Sequence, residues 1–329
     1  MVTKPVAKAE YNKSAKAQEA AAQLPKMDLD AQNLAGLIYG LRKKNKAGHG
    51  TEFHKFRHFQ NGIDDPRKID WKSSAKNRDR DGNDILFLRN REMEVAQNIY
   101  LWRDVSASMD FKAPAELFAN PPAYTKREAA DILLLAAAYL AVKTGEHFAL
   151  LGGNTALNGN KPAIERMKLE MEHGLRSADP HDIPKLPIHR GKPLLPGSHV
   201  FIFSDFLCPL QEIAAMIDNL HYSGLKGHMI QILDPAEIEF RYQGKVNLKG
   251  LENESPCLIS NGQTSRHEIE QRIHQHVHDI EQMVKNIPGW NYSTYITDQP
   301  LYEAMLPLYG LRASRMPKPT QNFSTPSKS

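Results

Sequence analysis

Asp104, Ser106 and Ser108 place one carboxylate and two hydroxyls at alternate positions in the run Asp104-Val105-Ser106-Ala107-Ser108. Such oxygens are hard donors, suited to Mg²⁺, Mn²⁺ or Ca²⁺ rather than to zinc or copper. The spacing lets all three converge on one ion, with water or a partner's carboxylate completing an octahedron. Five residues also recur by chance, and Asp and Ser commonly cap the turn after a strand. The surroundings have to decide between an ion site and a capped turn.

The residues before the run, Ile99 to Trp102, are apolar and of strand type. An aspartate at the carboxyl end of a buried strand sits where open α/β sheets place their ligand sites. A second buried strand, from His199, runs into Ser204-Asp205, and a third, Gly227 to Leu233, ends at Asp234-Pro235. Between them, Thr125-x-x-Glu128 forms a capping box. The helix it opens, Ala129 to Val142, is apolar nearly all round and so predicts burial. His147 to Leu151 reads as a strand, Ile164, Met167 and Met171 favour a helix over 161–173, and Leu210 to Leu220 reads as another helix. Alternating strands and helices predict an α/β fold, a doubly wound, mostly parallel sheet with helices on both faces. The strand-end acids then share one edge of that sheet.

Further along, Ile238, Phe240, Tyr242, Val246 and Leu248 alternate in strand fashion, with Gln243-Gly244 as the turn of a hairpin. A helix follows over 265–285, with Ile269, Ile273, Val277, Ile280 and Val284 as its buried stripe. Trp290 to Ile296 predicts a last strand and Pro300 to Leu308 a last helix. On the helix over 265–285, His274 and His278 lie four apart on one face, but no third metal ligand accompanies them, and a solvated polar face is the expectation. At the other end, Asp30 reads as a helix cap ahead of Leu34, Leu37, Ile38 and Leu41. Residues 1–28 and 312–329 predict disordered tails.

Residues 49–92 interleave aromatics (Phe53, Phe56, Phe59, Trp71) with basic residues, and Asp64, Asp65 and Asp70 lie among them. Three carboxylates so close suit acid/base or metal chemistry. They equally suit Asp–Arg pairs and Asx-turns that pin an irregular segment, since each has a basic residue within a few positions. The acids argue against nucleic-acid binding by this stretch.

Composition bounds the rest. The chain has 329 residues, 41% of them apolar, and a net charge of only +4. The charge excess lies toward the ends, which is not the basic face of a nucleic-acid binder. Two cysteines, Cys208 and Cys257, make no disulfide framework and fit a reducing compartment. No signal-peptide layout is present, and the most apolar run, Ile132 to Val142, is shorter than the roughly 20 residues that span a bilayer. A cytoplasmic, soluble protein is expected.

With both aspartate strands in view, the order of features resembles the von Willebrand factor A-type domain and its metal-ion-dependent adhesion site. Upstream, the segment from Glu52 to Lys76 (EFxxFRxFQxGIDDPRKIDWKSSAK) is more specific. Together with Leu88-Arg89, Glu92, Glu94, the run from Leu233 to Gly244 and Thr297 to Leu301, it closely resembles bacterial domain-of-unknown-function 58 proteins over about residues 30–311. The resemblance implies a von Willebrand A-like domain over 96–311, preceded by a lead-in segment, 29–95, packed on it. It implies Asp104, Ser106 and Ser108 as the first part of a metal site and Asp205 as its late aspartate, with Thr155 or Ser177 as candidates for the threonine between them. Mg²⁺ or Mn²⁺ is the expected ion, and a MoxR-type AAA+ ATPase the expected partner, in assembly or maturation of a protein complex. The function expected is therefore a non-enzymatic, metal-dependent adaptor. Two alternatives stand beside it: an Mg²⁺-dependent phosphoester hydrolase using Asp64, Asp65 or Asp70, and a purely structural scaffold.

Overall fold

The computed structural model describes residues 26–43, 55–60, 64–69, 71–75, 86–90, 96–177, 186–187, 193–248, 257–260 and 262–311. The expected tails over 1–25 and 312–329 lie outside the described residues, as do Asp70 and residues 178–185 and 188–192. Two compact units are present, one spanning Leu41–Ala96 and the other formed by the chain before and after it.

In the larger unit, strands β3 (Asn98–Arg103), β4 (His147–Leu150), β5 (His199–Ser204), β6 (Lys226–Leu233) and β9 (Trp290–Ile296) form one sheet in the order β4-β3-β5-β6-β9. Every pairing is parallel. Central strands of a parallel sheet are covered on both faces, which is why β5 and β6 read as near-continuous apolar runs. The chain leaves β3 toward β4 on one side and returns to β5 on the other, so the order reverses between β3 and β5. That reversal creates a crevice at the carboxyl ends of these two strands.

On one face lies α3 (Lys126–Thr144), against β3, β4, β5 and β6. Its capping box is formed: the Thr125 hydroxyl accepts from the Glu128 amide at 3.1 Å, and the Glu128 carboxylate accepts from the Thr125 amide at 2.8 Å. Gly145 ends it in the left-handed region at φ 76°. Its far side is covered by α4 (Lys161–Ser177) and α8 (Leu301–Leu308), which explains an apolar surface all round. A helix over 26–43, α1, adds to this layer: the Tyr139 hydroxyl donates to Asp28 at 2.6 Å, and Lys168 pairs with Asp28 at 2.6 Å.

The opposite face carries α5 (Leu210–Tyr222) and α7 (Gly262–Lys285), whose Ile213, Ile217, Ile280 and Val284 pack with Tyr100, Val200, Ile202 and Met229 of the sheet. Gly227 is required here, because a Cβ at that position would stand 2.3 Å from the ring of Trp290.

Several elements depart from the sequence expectation. The helix α1 begins by residue 26, so the expected tail boundary at 28 falls inside it. Its buried side is Met27, Ala31, Leu34, Ala35 and Ile38, and Leu37 is exposed. The hairpin over 236–248 is not formed. Asp234 and Glu237 instead make a second capping box that opens a helical turn, α6 (Pro235–Ile238), with Pro235 at its first position. Val246–Leu248 (β7) pairs antiparallel with Cys257–Ile259 (β8). No helix among the described residues is long and apolar enough to cross a membrane.

The smaller unit holds an antiparallel pair, β1 (Lys55–His58) with β2 (Phe87–Asn90), a 3₁₀ turn over Pro66–Lys68 and a short helix, α2 (Trp71–Ser74). The Ser74 hydroxyl accepts from the Phe87 amide at 2.9 Å and ties α2 to β2.

Candidate functional site

The crevice between β3 and β5 is filled by the residues that end these strands. Asp104 continues β3 by one residue, its amide donating to the Phe203 carbonyl at 2.8 Å. Its side chain is 1% exposed, and both oxygens are engaged. Oδ1 accepts from the Ser106 amide at 2.7 Å, and Oδ2 accepts from the Ser204 hydroxyl at 2.7 Å. Ser204 is oriented in turn by the Phe206 amide at 3.0 Å. A carboxylate accepts at up to four positions, so these bonds leave room for a further ligand. Burial first, and the negative charge of Asp205 second, raise its pKa to about 6 against the hydrogen bonds from Ser106 and Ser204.

The two hydroxyls meet beside it, Ser106 Oγ lying 3.0 Å from Ser108 Oγ. An octahedral ion with oxygen bonds of about 2.0–2.1 Å places adjacent ligands about 2.9–3.0 Å apart. The hydroxyl pair therefore has the spacing of one edge of a Mg²⁺ or Mn²⁺ octahedron, which is also that of the hydrogen bond between them, and Asp104, Ser106 and Ser108 are the residues that could hold such an ion. Among the described residues, no group of three or more His, Cys, Asp or Glu side chains is placed to hold a metal. The candidate set here leans on hydroxyls instead.

Asp205 reaches the same edge, 3% exposed, but its oxygens are committed elsewhere. Oδ2 pairs with Lys126 Nζ at 2.9 Å, and Oδ1 accepts from the Leu207 amide at 3.2 Å. Lys126 is fully buried at the first position of α3, and its ammonium also pairs with Glu237 at 2.6 Å. Burial works against that charge, but Glu237 and Asp205 outweigh it and hold the Lys126 pKa above its ordinary value. The backbone here is fixed as firmly as the side chains. Gln231 donates to the Asp205 carbonyl at 2.7 Å, His276 donates to the Phe206 carbonyl at 2.8 Å, and Tyr292 donates to Gln231. Phe206 itself has φ 49°, a left-handed conformation that a bulky residue adopts only when its surroundings impose it.

Neighbouring residues lock the loop onto α3. Arg127 donates to the Ser106 carbonyl at 2.9 Å and pairs with Asp110 at 2.5 Å. Arg103, buried at the end of β3, pairs with buried Asp131 of α3, which engages its cation. The third strand-end acid, Asp234, is a brace: it accepts from the amides of Ala236 at 2.9 Å and Ala113 at 3.0 Å, joining the end of β6 to the segment after Ser108.

The other candidates lie elsewhere. Thr155 donates its hydroxyl to Glu170 at 2.9 Å, and the side chain of Ser177 lies outside the described residues. Asp64 and Asp65 belong to the smaller unit, where Asp64 accepts from the Gln60 amide at 2.9 Å and Asp65 caps the 3₁₀ turn through the Arg67 amide at 3.0 Å. His274 and His278 are exposed on α7. Lys126, Glu237 and Gln231 escape a reading of the sequence. For Lys126 a signal existed: a lysine in the first turn opposes the helix dipole, so a specific partner has to hold it there.

A groove of about 720 Å³ opens next to these loops, lined by Phe111, Leu207, Phe240, Tyr242, Ile269 and Ile273. It shares residues with the site, since Glu237 and His276 also line it. The amino-terminal half of the α7 stripe thus faces this groove half-buried, while Ile280 and Val284 are enclosed.

A family model described as "Protein of unknown function DUF58" matches residues 55–279. Comparison with curated proteins and comparison with solved structures each gave no match. The match takes in more than half of the chain, including β3, β5 and the loops that carry Asp104 and Asp205, and the protein belongs to the DUF58 family.

Proposed function

We propose that this protein is a non-enzymatic interaction module of von Willebrand A-like type, in which Asp104, Ser106 and Ser108 hold a divalent cation, Mg²⁺ or Mn²⁺. The bound ion supplies an electrophilic point that a partner's Asp or Glu can complete. The observation that carries this reading is the hydroxyl pair 3.0 Å apart beside a buried carboxylate at the sheet's switch point. The groove alongside supports it, because an apolar surface next to a polar anchor is the make-up of a protein-recognition site. Asp205 serves this site through its charge and through the backbone it fixes.

The partner expected from the family resemblance is a MoxR-type AAA+ ATPase, with the protein acting as an adaptor in complex assembly or maturation. The hydrolytic alternative gains nothing from Asp64 and Asp65, whose carboxylates accept from the amides of their own loop and turn. Co-elution of the full chain with a MoxR-type ATPase from the same organism tests the proposal. A complex that forms in Mg²⁺ and dissolves in EDTA is expected. Association that is indifferent to EDTA, or no association in either buffer, would refute the metal-dependent adaptor.

A further inference from the structure

We infer that Lys126 is a resident cation that withholds Asp205 from the divalent ion, so that ion affinity is set by competition between an ammonium and a metal for one carboxylate. The inference rests on the ion site proposed above and assigns a role to a residue outside it. Lys126 is 0% exposed, and its ammonium lies 2.9 Å from Asp205 and 2.6 Å from Glu237. No solvent reaches this ammonium, so its charge serves these two acids. Asp205 in turn influences Asp104 by its negative charge. Asp205 directly follows Ser204, whose hydroxyl donates to Asp104 at 2.7 Å, so the carboxylate that Lys126 holds adjoins the Asp104 site.

The consequence follows from charge count. Affinity for a hard divalent cation rises with the number of anionic ligands available. Lys126 shares one positive charge between Asp205 and Glu237, and with Asp205 engaged by it the ion meets one carboxylate and two neutral hydroxyls. Binding is then weak in the isolated protein, and a partner's carboxylate contributes the missing charge. Without the lysine, Asp205 becomes an uncompensated buried anion, and such an anion demands a counter-ion. The ion on Asp104 is the nearest source.

The test is a calorimetric titration of Mn²⁺ into the full chain, wild type beside Lys126→Met, with folding checked by circular dichroism. A gain in Mn²⁺ affinity of roughly tenfold or more is expected in Lys126→Met. Adding Asp205→Asn or Asp104→Asn should abolish that gain. Should Lys126→Met not fold, Lys126→Met/Glu237→Leu removes one uncompensated acid and should show the same gain. Equal or weaker affinity in a folded lysine variant, with measurable binding in the wild type, would overturn the inference and leave the ion site standing. A gain that survives Asp104→Asn would also overturn it, by locating the ion on Asp205 and Glu237 alone. Absence of binding in every protein would remove both the inference and the site it rests on.

Discussion

Burial and the charge of Asp205 hold the Asp104 carboxyl at about 6, against an ordinary value of 3.8. An acid with a raised folded pKa binds its proton more tightly in the native state than in the unfolded chain. Its contribution to stability is therefore fully present below about pH 4 and is lost as pH rises through 6. The shift corresponds to about 3 kcal/mol between those limits. Asn at this position keeps the acceptor for the Ser106 amide and places an amide donor toward Ser204, without the buried charge. We expect ion-free Asp104→Asn to exceed the wild type in stability by about 1–3 kcal/mol at pH 8, the difference vanishing near pH 4. Urea unfolding in EDTA across that range measures it, and a variant less stable than the wild type at pH 8 would contradict the account of this carboxyl. Ion binding runs the other way, because a ligand must lose its proton first. Affinity for Mg²⁺ or Mn²⁺ should fall as pH drops below about 6, where the free Asp104 is protonated.

The first turn of α3 does several things at once. Thr125 and Glu128 close the cap, Lys126 holds Asp205 and Glu237, and Arg127 holds the Ser106 carbonyl. One largely buried helix thus holds the loops after both β3 and β5, and ties the site to the core. The helix α7 is divided differently. Its carboxyl-terminal half is core, and its amino-terminal half borders the groove. Ile280→Ala should cost about 2–4 kcal/mol, as expected for a buried Ile. Ile273→Ala, half-buried at the groove, should cost under about 1 kcal/mol. Denaturant melts of the two variants distinguish core from docking surface, and comparable losses in both would mean that the groove is closed in solution.

At the scale of the whole molecule, the α/β architecture was legible because each strand of the parallel sheet announces itself by a short apolar run. The placement of Asp104, Ser106 and Ser108 in the loop after β3 was legible because they follow such a run. What escaped has physical reasons. Ile238, Phe240 and Tyr242 alternate as a strand would, but Phe240 and Tyr242 line a groove, and the Asp234–Glu237 box with Pro235 is the stronger local instruction. Periodicity marked the apolar face of α7 without revealing that only half of it is enclosed. Lys126 was hidden inside a capping motif, and the carboxylates that hold it lie 79 and 111 residues away, beyond any local pattern. The claim on which the functional account depends is that the Asp104 site holds a divalent cation. Calorimetric titration of Mg²⁺ and Mn²⁺ into the metal-free chain, beside the Asp104→Asn variant, tests it most directly. The account predicts weak, saturable binding in the wild type that disappears in the variant. Identical isotherms in the two proteins, with or without heat, would contradict it and leave the strand-end acids as structural caps.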